Sequence, residues 1–354
     1  MKNFLVNCEL CSEWKTLGHP GWVGREPHML RLSCLSLVAI TIAAKPASPF
    51  ILKDAQSAIL YADATYCGDA QHGTELPISE WSCDPCKAAP GVVVQKIVSS
   101  SARQTLAFIA IVKEGNSSSP RIVASFRGSV LPQNYQDDYD QELSKWALVR
   151  GRVHRGLHAS YASLEADFAA QMRVAIARHP TAPILVTGHS MGAAQAVYAA
   201  VAVAVNHTAA NVTAIGFGTP RPGDATFANF VGSLPNLRAW AVIHRADTVP
   251  QCGIYEAPCN EIALGYKQIA TNIWFAEDLG SPPMARLEYR TCDGTGEDPS
   301  CEDSVAATEL NWDDHDFYLE HSMFCCAAGH PAGPDGCPFP FSGERRPKLY
   351  MPTV

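Results

Sequence analysis

The stretch Ile184-Leu185-Val186-Thr187-Gly188-His189-Ser190-Met191-Gly192 decides the reading of this chain. A short run rich in β-formers breaks at Gly188-x-Ser190-x-Gly192 and passes directly into the alanine-rich apolar run from Ala193 to Val205. Strand, sharp turn and helix follow one another, with a single serine at the apex. Such a turn holds a serine strained and exposed, and its glycines allow strand and helix backbones to approach closely. A bare G-x-S-x-G occurs by chance in a chain with 25 glycines. The strand before it and the helix after it turn the pattern into a candidate nucleophile.

Around this centre the chain alternates strand and helix patterns. Ser48 to Tyr66 carries an apolar helical stripe, and a cysteine-rich loop runs on to Cys86. Val92 to Ser99, Thr105 to Val112 and Arg121 to Phe126 have the apolar, β-branched composition of strands. Tyr161 to Arg178 reads as a long helix, and Val212 to Phe217 and Leu237 to Ile243 as further strands. Phe317 to Phe324 reads as helical, and Tyr289 to Ser304 as an acidic loop. A mixed sheet flanked by helices follows from this alternation.

At 354 residues, 47% hydrophobic and 18% charged, the chain is long and apolar enough to bury a large core as one α/β unit. A net charge of -8 and the lack of any long Lys/Arg block argue against nucleic acid or an anionic membrane surface as partner. Met29-Leu30-Arg31, then thirteen mostly apolar residues from Leu32 to Ala44, then Lys45-Pro46-Ala47-Ser48, have the form of a secretory signal. The run is short for a membrane span. We therefore expect translation to start at Met29, residues 1–44 to be extension and signal peptide, and residues 45–354 to form a single domain without a stable membrane anchor. A membrane-anchored N-terminus is the alternative.

Cysteine usage agrees with export. Three of the 13 cysteines (Cys8, Cys11 and Cys34) precede the expected cleavage zone, which leaves ten: an even set, suited to disulfides in an oxidising compartment. Zinc is the rival reading for Cys83-x-x-Cys86, yet no second pair accompanies it. Asn116-Ser117-Ser118, Asn206-His207-Thr208 and Asn211-Val212-Thr213 are glycosylation sequons, meaningful in a secreted chain.

A serine nucleophile needs a base, an orienting acid and an oxyanion hole. In the order Ser–Asp–His the acid lies past a strand end downstream of the elbow. Asp247 follows the strand pattern Arg238 to Ile243. Asp224, in Gly218-Thr219-Pro220-Arg221-Pro222-Gly223-Asp224, competes, although that setting also suits turn capping. For the base, His315, His321 and His330 remain open on spacing alone. Met191, next to the nucleophile, supplies one backbone donor by elbow geometry. The turn Phe126-Arg127-Gly128-Ser129 is the candidate for the second, with a plain strand-end turn as its alternative.

Five motifs occur in order: Val123 to Ser129, Val153-His154-x-Gly156 with Ser160-Tyr161, Val186 to Gly192, Gly218-x-Pro220-Arg221-x-Gly223-Asp224, and Asp314-His315-x-x-Tyr318. In these the chain resembles the class 3 lipase family of filamentous fungi over about residues 48 to 340. That is an α/β-hydrolase group which also contains feruloyl esterases. The resemblance implies an α/β-hydrolase fold with a mostly parallel mixed sheet. It implies a secreted carboxylic ester hydrolase with triad Ser190, Asp247 and His315 and an oxyanion hole from Ser129 and Met191, needing no metal or organic cofactor. It further implies a mobile lid just after Ser129 that includes Asn134, Tyr135 and Asp138, with Asp138 placed to bond Ser129 once the lid opens. The substrate would be an acylglycerol or another carboxylic ester, met at a lipid–water interface or in solution. A feruloyl or other soluble-ester esterase is the alternative, and a catalytically dead binding homologue a further one. By the same resemblance Cys67 pairs with Cys326, Cys83 with Cys86 and Cys292 with Cys301, which leaves Cys252–Cys259 and Cys325–Cys337. Adjacent Cys325 and Cys326 could exchange roles. Val130 to Glu142 is polar apart from Val130, Leu131, Tyr135 and Tyr139, with Trp146 to Val149 just beyond. A lid that opens on lipid normally offers an apolar face, so this composition weakens the expectation of interfacial activation. Oligomeric state is not addressed by any motif.

Overall fold

Successive residues of the strand Thr105–Val112 belong to two different cores. Ala107, Ile109 and Ile111 pack into one, and Leu106, Phe108, Ala110 and Val112 into the other. Side chains on a strand alternate between faces, so a run buried throughout must be covered on both sides. This is why the segment reads as unbroken apolar sequence rather than as an alternation. The computed structural model describes residues 49–68, 76–113, 120–253, 262–269, 271–276 and 288–323. The expected signal peptide and start site lie outside these residues.

The main sheet has eight described strands: β1 (Val92–Ser100), β2 (Thr105–Val112), β3 (Arg121–Phe126), β4 (Ile184–His189), β5 (Val212–Phe217), β6 (Leu237–His244), β7 (Asn272–Phe275) and β8 (Arg290–Thr291). They lie side by side in chain order. The four pairings from β3 to β7 are parallel, and β1–β2, β2–β3 and β7–β8 are antiparallel. The mixed sheet flanked by helices is thus the α/β-hydrolase arrangement expected from the motifs.

One face of the sheet carries α3 (Arg155–Arg178) and α4 (Met191–Asn206), whose side chains share a core with Ile122, Ala124, Phe126 and Val186. From Met191 to Ala204 every residue of α4 is buried. Alanine, the strongest helix former, also lets this helix lie close to the strands. The other face carries α1 (Leu52–Ala64), whose Ala55, Ala58, Ile59 and Ala62 meet Phe108, Val123 and Leu185. Phe126, fully buried against Tyr161 and Phe168, anchors the first layer. Its truncation to alanine is expected to cost about 3–5 kcal/mol.

Two segments differ from the sequence reading. Phe317–Tyr318 and His321–Ser322 form a two-stranded hairpin, not a helix; Leu319 and Glu320, both at positive φ (46° and 75°), make its turn. Neither is a glycine or asparagine, so the turn left no mark in composition. The helix expected from Tyr161 starts at Arg155, capped by His154, whose Nδ1 accepts from the Leu157 N–H. In the stretch expected to be a lid, Pro132–Tyr139 folds as α2. A small second sheet joins Leu143–Lys145, Arg152–His154, Gly223–Asp224 and Tyr266–Lys267, and α5 (Ala225–Ser233) follows directly on Gly223–Asp224.

Candidate active site

Ser190 sits between the last residue of β4 and the first of α4 at φ 58°, ψ -131°. That region is costly for a residue with a side chain and persists only where the surroundings enforce it. Here they do: the Ser190 N–H donates to the Phe217 carbonyl at 2.9 Å, locking the turn to β5. A Cβ on Gly188 would lie 2.3 Å from the Gly192 oxygen, and one on Gly192 would lie 2.2 Å from the Phe126 oxygen. Both positions of the G-x-S-x-G pattern are therefore required by close backbone approach.

His315 reaches this serine from 125 residues downstream, with Nε2 2.9 Å from Ser190 Oγ. Its Nδ1 lies 3.0 and 2.9 Å from the two oxygens of Asp247. A carboxylate that accepts at Nδ1 fixes the tautomer, which leaves Nε2 free to accept the serine proton. Asp247 is wholly buried just past β6. It caps α6 (Thr248–Cys252) by accepting from the Val249 N–H at 2.8 Å, and also accepts from the Tyr318 hydroxyl. Burial and the neighbouring Asp247 charge push the Tyr318 phenol well above its ordinary range, so it stays a donor. Gly218, at φ 56°, leaves space beneath the pair: a Cβ there would come within 2.8 Å of Asp247 Oδ2 and of His315.

The backbone around His315 is fixed independently. The Asp247 segment forms a parallel bridge with Asn311. The Asp314 carboxylate accepts from the Ala246 N–H (3.1 Å) and from Asn311 Nδ2 (2.8 Å). His189, inside the elbow motif, places Nε2 2.8 Å from the His315 carbonyl and Nδ1 2.8 Å from the Tyr66 hydroxyl. Burial and the adjacent His315 hold His189 well below the usual histidine range. The ring is neutral, and because a carbonyl can only accept, Nε2 carries the hydrogen. The roles of Tyr66, His189 and Gly218 were missed from sequence. His189 adjoins the nucleophile and was visible there, but its bond is to a main-chain atom 126 residues away.

Ser129 lies three residues past β3, next to Gly128, where an added Cβ would lie 2.6 Å from the His189 carbonyl oxygen and 3.2 Å from Ser190 Cβ. Its hydroxyl donates to Asp138 Oδ2 at 2.6 Å. With its only hydrogen committed there, Ser129 can offer a reacting carbonyl its backbone N–H. Burial pushes the Asp138 carboxyl up to about 7, opposed by the Ser129 hydrogen bond and assisted by the Asp137 charge. Met191 opens α4, and Ser190, Met191, Asp138, His154, Leu157 and Val249 line a cleft above the serine. Asn134 is buried and Tyr135 half-buried on α2.

The other candidates separate cleanly. The Asp224 side chain accepts from the Phe227 N–H (2.9 Å) at the start of α5, the capping role its glycine- and proline-rich setting suggested. His321 lies in the hairpin, and His330 lies outside the described residues. Cys83 is bonded to Cys86 and Cys292 to Cys301. Cys67 and Cys252 are also disulfide-bonded; their expected partners Cys326 and Cys259, and Cys325 and Cys337, lie outside the described residues. Asn206 and Asn211 are exposed, and Asn116 lies outside the described residues. Among the described residues no helix is long and apolar enough to cross a membrane.

The comparisons agree with this geometry. A family profile described as "Lipase (class 3)" matches residues 123–255, the span from β3 to just past Asp247. The chain is 26% identical over 236 residues to a secreted mono- and diacylglycerol lipase 1 of Fusarium solani, covering 66% of each chain. It is 26% identical over 238 residues to a lipase of Rhizomucor miehei, covering 66% of this chain and 60% of that one. The matched region thus spans about two thirds or less of those two relatives. The crystal structure of a lipase from Rhizopus microsporus var. chinensis superposes with TM-score 0.65 at 24% identity, covering 79% of this chain and 91% of that one, which establishes the shared fold. The matching profile, the two lipase relatives and the shared fold all point to the same group: in sequence and fold the chain is similar to class 3 lipases.

Proposed function

We propose that this protein is a secreted carboxylic ester hydrolase, a lipase acting on acylglycerols through an acyl-enzyme. The observation that carries the reading is the continuous line Ser190 Oγ, His315 Nε2, His315 Nδ1 and Asp247, each link 2.9–3.0 Å. In the first half-reaction His315 takes the Ser190 proton as Oγ attacks the ester carbonyl, and Asp247 stabilises the imidazolium. The backbone N–H groups of Ser129 and Met191 receive the developing oxyanion; loss of one such donor costs about a hundredfold to a thousandfold in rate. His315 then protonates the departing alcohol. In the second half water attacks the acyl-enzyme, with His315 as base, and the acid leaves.

The relatives named as secreted lipases, the disulfides and the signal-like segment before Ser48 all support export. The polar surface of α2 favours a second reading, a soluble-ester or feruloyl esterase on the same machinery. Ser190→Ala should lower hydrolysis of a p-nitrophenyl ester on the order of a millionfold while the protein stays folded. Wild-type turnover in that variant would end the reading. A panel of tributyrin, triolein emulsion and methyl ferulate ranks the substrates: methyl ferulate turnover without triolein turnover would favour the second reading.

A further inference from the structure

The cleft above Ser190 is lined by apolar side chains, among them Leu157, Pro220 and Val249, and by three polar ones besides the serine: Asp138, Gln141 and His154. Two of the three are already engaged. Asp138 Oδ2 accepts from the Ser129 hydroxyl (2.6 Å), and His154 Nδ1 accepts from the Leu157 N–H (3.3 Å). The half-buried Gln141 differs: its side-chain amide makes no hydrogen bond among the described residues.

The main chain that presents this amide is bonded on both sides. The Gln141 N–H donates to the Tyr139 carbonyl (2.9 Å), and the Gln141 carbonyl accepts from the Tyr266 hydroxyl (2.7 Å). Tyr266 is itself buried, its ring 5.6 Å from that of His154. A primary amide offers two N–H donors and an acceptor oxygen and carries no charge. A hydroxyl is its natural counterpart, since one oxygen both donates and accepts. A substrate group that completes the amide's hydrogen bonds is favoured over one that displaces its water without replacing them. A charged group finds less to meet it. Among the described residues no lysine or arginine lines the cleft, and burial lowers His154 to about 4, so its ring is neutral near pH 7.

From this we infer that Gln141 is a specificity-determining residue whose amide hydrogen-bonds a hydroxyl carried by the ester close to its scissile bond. The site then prefers hydroxyl-bearing esters to their plain analogues. The inference rests on the proposed ester hydrolysis at Ser190 and narrows the class of ester that the site takes. The hydroxyl belongs either to the alcohol part, as in an incompletely acylated polyol, or to the acyl part, as in a hydroxylated aromatic acid. The hydrogen bond asked of Gln141 is the same in both. A glutamine that merely faced solvent at the cleft would make no such distinction.

The test measures kcat and KM of the purified full chain on two matched pairs of esters: 2-hydroxyethyl butyrate against propyl butyrate, and methyl 4-hydroxycinnamate against methyl cinnamate. The first pair carries the hydroxyl on the alcohol, the second on the acid. Each ratio of kcat/KM is divided by the same ratio for hydrolysis by hydroxide, which removes intrinsic reactivity. Wild-type protein is expected to favour the hydroxyl-bearing member of at least one pair by about threefold to tenfold, the range of one neutral hydrogen bond. The pair that shows the preference identifies the part of the ester that Gln141 reads. Gln141→Leu keeps the bulk and removes the amide, and in it the preference should fall to about one. A merely structural role would lower kcat/KM equally for both members and leave the ratio in place. A wild-type ratio of about one or below in both pairs overturns the inference alone, and so does a preference that persists in folded Gln141→Leu. If that variant does not fold, Gln141→Ala is read in the same way. Absence of wild-type turnover on all four esters, or full turnover by Ser190→Ala, would instead remove the hydrolase reading and the inference with it.

Discussion

The two halves of this site are held by different forces. In the triad half, Ser190 and Asp247 sit just past two parallel strands, β4 and β6, that flank β5, and His315 is docked by ties at Asn311, Asp314 and His189. Apolar burial of the strands sets its geometry. In the oxyanion half, Ser129 depends on Asp138, and Asp138 on a short polar helix pinned by side-chain hydrogen bonds to residues some thirty positions away. The first half is as rigid as the core. The second is only as rigid as a hydrogen-bond network, whose members are individually weak and collectively decisive.

The largest effect expected in breaking this comparison falls on the triad half. Asp247→Asn should lower kcat about ten-thousandfold, since the amide presents the wrong hydrogen-bonding pattern to His315. Asp224→Asn, a helix cap, should leave kcat near wild type and lower stability by about 1 kcal/mol or less. Ester kinetics with thermal melts on both variants check this; equal kcat losses would show that the acid has been assigned to the wrong loop.

A smaller effect separates the halves by pH. Burial raises Asp138 to about 7, and it raises Asp63 and Glu302 to about 7 as well. A carboxyl raised in the folded state favours folding while protonated, fully below its unfolded value, and that contribution is lost as pH rises through about 7. His154 and His158, lowered to about 4 by burial, act in the opposite sense, so their contribution is lost as pH falls from their ordinary value of 6.5. The Asp138 contribution is therefore lost between about 4 and 7 and is gone above about 7, so relative to wild type the melting temperature of Asp138→Asn should rise across that window and level off above it. A difference between the two proteins that stays constant across the window would contradict the raised Asp138 carboxyl.

The legibility of the two halves in sequence follows the same division. The elbow was readable because a β-rich run, a small-residue turn and an alanine-rich run are each local patterns, and the Asp247 strand end likewise. His315 was one of three histidines left open by spacing and was singled out by the family motif, because its docking depends on Asn311 and on His189 in a distant strand. The hairpin at Phe317–Ser322 was misread as helix since its apolar residues fit a helical period and its turn residues carry no signal. Helix α2 was read as a polar lid. Its burial could not be seen, because Asn134 and Asp137 are satisfied by Arg103, Gln104 and Ser160, and no periodicity in one segment reports partners in others.

The central claim, that His315 activates Ser190, is tested most directly by covalent labelling with a fluorophosphonate followed by peptide mass mapping. The account predicts one adduct, on Ser190, formed rapidly in wild-type protein and suppressed in a folded His315→Ala variant. Labelling at another residue, or undiminished labelling of Ser190 once the imidazole is removed, would contradict it.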